Sequence, residues 1–127
     1  AWYRVRGRDP ATEGWLFGCD VCQDVCPYNR AEPPPPIAAD PHAPRDRLRE
    51  LGTEDFLRMD EAVFDRYTRG TALRRAGREG LARNAALVLG NSGDKRHLPL
   101  LDKVVARDPS DVVREAAAWA RERLTRS

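Results

Sequence analysis

Apolar positions recur with helical spacing through most of the chain, starting at Arg45. "RDRLRELG" reads as a helix ending at Gly52. Thr53 is placed to cap "EDFLRM", and Asp60 to cap "EAVFDRYT", because a short polar side chain before an apolar-periodic run accepts from the free N–H groups of the first turn. "RGTALRRAG" reads as a short helical or turn segment between Gly70 and Gly77. "REGLARNAALVLGN" follows, with Gly90-Asn91 as its expected stop. Asp94 is expected to cap "KRHLPLLDKVVAR", where Leu98, Leu101 and Val105 share a face and Pro99 predicts an irregular start. Asp108-Pro109-Ser110 reads as a turn. Ser110 then caps "DVVREAAAWARERL", whose Val113, Ala117, Ala120 and Leu124 make an apolar stripe.

A shift of 31 lays "ARNAALVL" over "VREAAAWA", matching Arg83 with Arg114, Ala85 with Ala116, Ala86 with Ala117 and Val88 with Trp119. Alanines let helices approach closely, and an Asp-x or Asp-Pro turn before each pair suits stacked helical hairpins. The pattern predicts a mainly α fold for residues 45–127, resembling HEAT-like repeats of an α-solenoid, although the period is shorter than the roughly 40–47 residues usual there. A generic helical bundle is the alternative.

The helical pattern stops upstream. "AEPPPPIAADPHAP" carries four consecutive prolines, Pro33 to Pro36, which lock φ and remove backbone donors. Residues 31–44 therefore read as a linker or strap, or equally as a loop crossing one compact body. Residues 1–30 form a mixed segment that opens "AWYRVRGRDP" without a Met, and the chain is expected to be the C-terminal piece of a longer protein. It shows no signal-peptide pattern, and no apolar run approaches the roughly 18 residues of a membrane span.

At 127 residues with 33% charged and 41% hydrophobic positions, the balance is that of an ordinary soluble chain. The 7% aromatic content implies an aliphatic core. Net charge is only +2, but it is unevenly spread. Residues 40–65 hold eight acids against four arginines, and residues 66–84 hold six arginines against Glu79 alone. Such a local basic block attracts phosphate more than the small net charge suggests. Arg74, Arg75, Arg78 and Arg83 lie on a segment punctuated by Gly70, Gly77 and Gly80. Guanidinium groups suit phosphate bidentately and stack on unpaired bases, and Asn84 can add hydrogen bonds to a base or ribose. The rival reading is a solvated basic face paired with the acidic segment, with Arg83 a structural arginine of the repeat. Trp2, Tyr3 and Trp119 read as packing residues.

All three cysteines fall in "GCDVCQDVCPYN", spaced Cys19-x2-Cys22-x3-Cys26-Pro27. Ferredoxin-type proteins use C-x2-C-x2-C-x3-C-P, whose last cysteine serves the second cluster of a pair. This segment matches the last three cysteines and the proline, and Leu16 occupies the place of the first. Leu16, Phe17, Val21 and Val25 would supply an apolar wall. Three thiolates do not complete a cubane, so further ligands are expected upstream of Ala1. Zinc, with His42 as a fourth ligand, and a redox C-x-x-C at Cys19 and Cys22 are the alternatives. His97, within a basic turn, reads as a surface or interface residue. An odd cysteine count with tight spacing argues against a disulfide framework and for a reducing, cytoplasmic setting.

"LFGCDVCQDVCPYNR" followed by "GTALRRAGREGLARNAALVLGN" resembles the C-terminal part of the epoxyqueuosine reductase family. The resemblance runs from about Trp15 to Leu124, with Tyr28 where the family commonly has Trp. It implies an oxidoreductase that reduces epoxyqueuosine to queuosine at the wobble position of certain tRNAs. It also implies cobalamin and two 4Fe–4S clusters as cofactors. Cys19 and Cys22 would ligate one cluster and Cys26 the other, and the helical domain would hold the tRNA anticodon stem-loop. The cobalamin-binding part and the catalytic acid are absent from this sequence, so no catalytic residue is expected in it. The chain alone is expected to be inactive, acting with the upstream part of its own chain and an unidentified electron donor. Residues 1–30 would then be the distal part of a ferredoxin-type domain. A ferredoxin-type electron carrier with a docking domain and a zinc-stabilised binding module are the rival functions.

Overall fold

The computed structural model describes residues 16, 17, 22, 25–29 and 51–126. Five helices form the body: α1 (Thr53–Arg58), α2 (Glu61–Thr68), α3 (Gly77–Asn91), α4 (Leu98–Arg107) and α5 (Asp111–Arg126). No strand occurs among the described residues. The expected helix over residues 45–52 and the proline strap lie outside them.

Local chemistry sets the helix starts. Gly52, rather than Thr53, precedes α1, and its N–H donates to the Asp55 carboxylate at 2.7 Å. Asp60 accepts from the Val63 N–H at 2.8 Å at the start of α2, as its position predicts. The segment between Gly70 and Gly77 is a 3-10 turn, Ala72–Arg75, and both glycines take positive φ (75° and 72°), which an L side chain adopts only under strain. Asp94 caps a 3-10 turn, Lys95–His97, which leads into α4. Pro99 thus falls in the first helical turn, where its missing N–H costs no bond. The Ser110 hydroxyl accepts from the Val113 N–H at 3.4 Å to open α5.

The core is mostly aliphatic, with Phe56, Phe64 and Met59 also buried in it. Leu81, Leu101, Val113 and Leu124 are fully buried, each contributing roughly 1.5–3 kcal/mol of apolar burial. Helix α3 is central: it packs against α1 on one side and α5 on another, while α4 closes against α5. The sequence stripe of α5 is the buried one, Val113, Ala117, Ala120 and Leu124. On α4 the deepest positions are Leu101 and Val104, with Leu98 and Val105 at the margin.

The two copies of the sequence repeat lie side by side and parallel. Near their N-terminal ends, the Ser110 hydroxyl donates to Glu79 at 2.7 Å. Further along, Gly90 of α3 abuts Trp119 and Ala120 of α5. Both contacts keep an offset close to 31, so the repeat spacing is also a spatial neighbour relation. Alanines make the close approach feasible: Ala82, Ala85 and Ala86 on α3 and Ala116, Ala117 and Ala120 on α5 are all buried. Helix α3 stops at Gly90-Asn91 as the sequence predicts, with Gly90 its penultimate residue, and the chain then turns at Gly93 with φ 72°.

Candidate functional site

Two groups of residues were singled out in the sequence, the thiols and the basic block. Of the thiols, Cys19 lies outside the described residues. Cys22 is exposed and Cys26 half-buried, and both are free thiols. Immediately after Cys26 the chain makes a 3-10 turn, Pro27–Asn29, with Pro27 at its first position. Val25 (67% exposed) and Tyr28 (93% exposed) stand out into solvent. Leu16 and Phe17 pack instead against the helical core. Of the expected apolar wall, then, these two are committed to the helices, Val25 faces water, and Val21 is not among the described residues.

The donor set fits an iron–sulfur cluster in kind, since accessible thiols at this spacing are its ordinary ligands. It falls short in number, and no group of three metal-binding side chains occurs among the described residues. Of the histidines, His42 lies outside the described residues. His97 is half-buried, with Nδ1 2.7 Å from the Glu54 carboxylate, so it ties the start of α4 to α1.

The structure divides the five residues of the expected RNA surface. Arg74 and Arg75 are exposed on the 3-10 turn ahead of α3. Arg74 meets Asp65 at 2.6 Å, which also pairs with Arg69. Arg75 has no ion-pair partner among the described residues. Arg78 corrects the expectation of a surface arginine. It is 5% exposed, and its two terminal nitrogens donate to the two oxygens of Asp108 at 3.1 and 2.9 Å. That hydrogen-bonded carboxylate holds the guanidinium pKa above its usual value, against the opposing effect of burial. Glu61 lies 4.0 Å from its Nε.

Asn84 corrects the same expectation, being 3% exposed. Its side-chain oxygen accepts from Arg83 Nε and Nη2 at 3.3 and 3.0 Å, and its amide nitrogen donates to the Leu16 carbonyl at 3.0 Å. Both residues are inward because α3 is the central helix and has almost no solvent face. The acidic and basic segments do meet, through Asp65 and Glu61, as the rival reading of the charge pattern anticipates.

In the sequence Asp108 reads only as part of a turn. Besides binding Arg78, its carboxylate accepts from the Ser110 N–H at 2.9 Å, and its carbonyl accepts from Arg114. The 31-residue repeat holds the signal for it, because that shift sets position 78 beside 109. The aromatic Trp119 is a packing residue, half-buried against Gly90, with the Arg123 guanidinium 5.5 Å from its ring centre.

No family model matches the chain, and no solved structure does. An epoxyqueuosine reductase of Gloeobacter violaceus is 44% identical over 84 residues, 64% of this chain and 26% of that protein. That of Pseudomonas aeruginosa is 39% identical over 110 residues, 85% of this chain and 29% of that protein. That of Alicycliphilus denitrificans is 37% identical over 113 residues, 83% of this chain and 31% of that protein. An alignment covering 85% of the chain leaves too few residues outside it to miss Cys22, Cys26 or α3. The chain spans a quarter to a third of the length of these relatives. It is thus a relative of the epoxyqueuosine reductases, matched to them over most of its own length.

Proposed function

We propose that this chain is the cluster-ligating and RNA-holding part of an epoxyqueuosine reductase, an oxidoreductase that converts epoxyqueuosine to queuosine in tRNA. The observation that carries the reading is the similarity to these reductases across one alignment that includes Cys22, Cys26 and the central helix. In this reading Cys19 and Cys22 hold one 4Fe–4S cluster and Cys26 the other, with the remaining ligands elsewhere in the protein. When bound, the clusters supply single electrons to the cobalamin that the family resemblance assigns to the upstream part. What this chain contributes is placement. Pro27 turns the backbone away after the last thiol, and Leu16 and Phe17 fasten the other side of the segment to the helices.

The helices are read as stacked HEAT-like units, supported by the parallel packing of α3 and α5 at the repeat spacing. On them, Arg74 and Arg75 form the exposed phosphate-facing turn, while Arg78, Arg83 and Asn84 support it from within. Two arginines on a glycine-bounded turn suit the backbone of an anticodon stem-loop, where base identity is read elsewhere.

The test is anaerobic purification of the complete protein with Cys22→Ser and Cys26→Ser variants. The wild type is expected to be coloured and to carry iron and acid-labile sulfide, with both reduced in each variant. Stoichiometric zinc in a colourless wild type would overturn the cluster assignment. Binding of tRNA is expected to weaken in Arg75→Ala and to lose about one unit of salt slope. An unchanged slope would remove the turn from the RNA surface.

A further inference from the structure

The buried Asn84 amide has a specific use. It lies in the middle of α3 at 3% exposure, where an unmatched amide would be costly. Its orientation follows from its neighbours. A guanidinium has only donors, so Arg83 must face the amide oxygen. The amide N–H is thereby aimed at the Leu16 carbonyl, 68 positions away in sequence. Leu16 and Phe17 pack on the same core, so the contact combines one directed hydrogen bond with two apolar anchors.

We propose that Asn84, oriented by Arg83, is the positioning residue that clasps the cysteine segment to the helical unit. Leu16 precedes Cys19 by three residues. Extended chain spans at most about 3.3–3.6 Å per residue, so a fixed Leu16 carbonyl limits the backbone of Cys19 to within roughly 11 Å of Leu16. Helix α3 is also the element into which the Arg74–Arg75 turn leads. The clasp therefore sets the separation between the thiol ligands and the phosphate-facing turn. This inference rests on the function proposed above for what those two ends bind, but the clasp itself stands on the geometry.

The test uses the complete protein, purified anaerobically, with Asn84→Asp and, as a control, Val113→Ala in the core of α5. Asn84→Asp preserves size and the Arg83 partner, but sets a carboxylate against the Leu16 carbonyl in place of a donor. Amide hydrogen exchange in peptides covering residues 14–18 is expected to accelerate about five- to tenfold, the equilibrium equivalent of one lost hydrogen bond. The electron paramagnetic resonance spectrum of the reduced clusters is expected to change with it. Val113→Ala should lower the melting temperature while leaving both readouts as in the wild type. Unchanged exchange at 14–18 and an unchanged spectrum in Asn84→Asp would overturn the clasp. Should that variant fail to fold, Arg83→Met, which frees the amide to turn, decides the question by the same exchange measurement: acceleration supports the clasp and no acceleration overturns it. A wild type without iron–sulfur absorption overturns only the cluster reading, and the exchange comparison still decides the clasp.

Discussion

Gly90 gives a test of the helical packing in which two substitutions of the same kind should act in opposite directions. A Cβ built at Gly90 would lie 2.8 Å from Trp119 Cζ3 and 2.9 Å from both the Cα and the Cβ of Ala120. One of these neighbours is backbone, and the ring is wedged against the same helix pair, so α3 and α5 must separate to admit a methyl group. Overpacking of this sort costs about 1–3 kcal/mol. Replacing a helix-interior glycine by alanine returns about 1 kcal/mol through helix propensity, an upper bound at Gly90, the penultimate residue of α3. The net expectation for Gly90→Ala is a loss of up to about 2 kcal/mol. At about 4–8 °C per kcal/mol for a domain of this size, the melting temperature should fall by up to about 15 °C. Gly80, in the first turns of the same helix, is the control. Its added Cβ would meet only the Ala76 methyl at an ordinary 3.6 Å, so Gly80→Ala keeps the propensity gain and should stabilise by about 0.5–1 kcal/mol. Thermal unfolding followed by far-ultraviolet circular dichroism reads both. A Gly90→Ala protein at least as stable as Gly80→Ala would refute the close approach of α3 and α5.

Other outcomes follow from the buried ion pair and the caps. Arg78→Met alone should destabilise by about 3–5 kcal/mol, because it leaves the Asp108 carboxylate buried without its partner. Asp108→Ala should cost at least as much, since Ser110 loses its acceptor as well, and the double variant Arg78→Met/Asp108→Leu should recover most of the loss in urea unfolding. The Arg78 pKa is raised, so the pair's contribution is fully present below the ordinary arginine value and lost only as pH rises beyond it. The Arg78→Met defect should accordingly be constant from pH 6 to about pH 9. Asp94 behaves oppositely. Hydrogen bonds from Arg96 hold its carboxyl at about 2, below its ordinary 3.8, so its contribution is present above the ordinary value and disappears as pH falls towards 2. The difference in melting temperature between wild type and Asp94→Asn should narrow across that interval; a difference that persists unchanged at pH 2 would refute the role of the charge.

The amino-acid sequence by itself determined the helices and most of their starts. Asp60, Asp94 and Ser110 cap through their nearest neighbours, and a local bond needs no knowledge of the fold. The stripe of α5 was legible for the same reason, since burial on a helix face follows the 3.6-residue period. The repeat also carried more than a class of architecture, because its shift of 31 is the register at which α3 and α5 touch. The relation to the epoxyqueuosine reductases was readable from the spacing of Cys19, Cys22, Cys26 and Pro27 and from the glycine–arginine stretch that follows.

Only the tertiary structure decided which polar residues face inward. Arg74, Arg75 and Arg78 are chemically alike and adjacent, yet two are exposed and the third is buried against a carboxylate thirty positions away. Gly90 belongs to the helix stop that the sequence predicts, and the fold also makes it the gap that admits a tryptophan. Asn84 looks like a ligand-binding amide and instead holds the flank of the cysteine segment. The physical reason is common to all three. Whether a side chain meets water, a neighbouring helix or a distant carbonyl depends on which elements surround its own, and α3 is surrounded on almost every side.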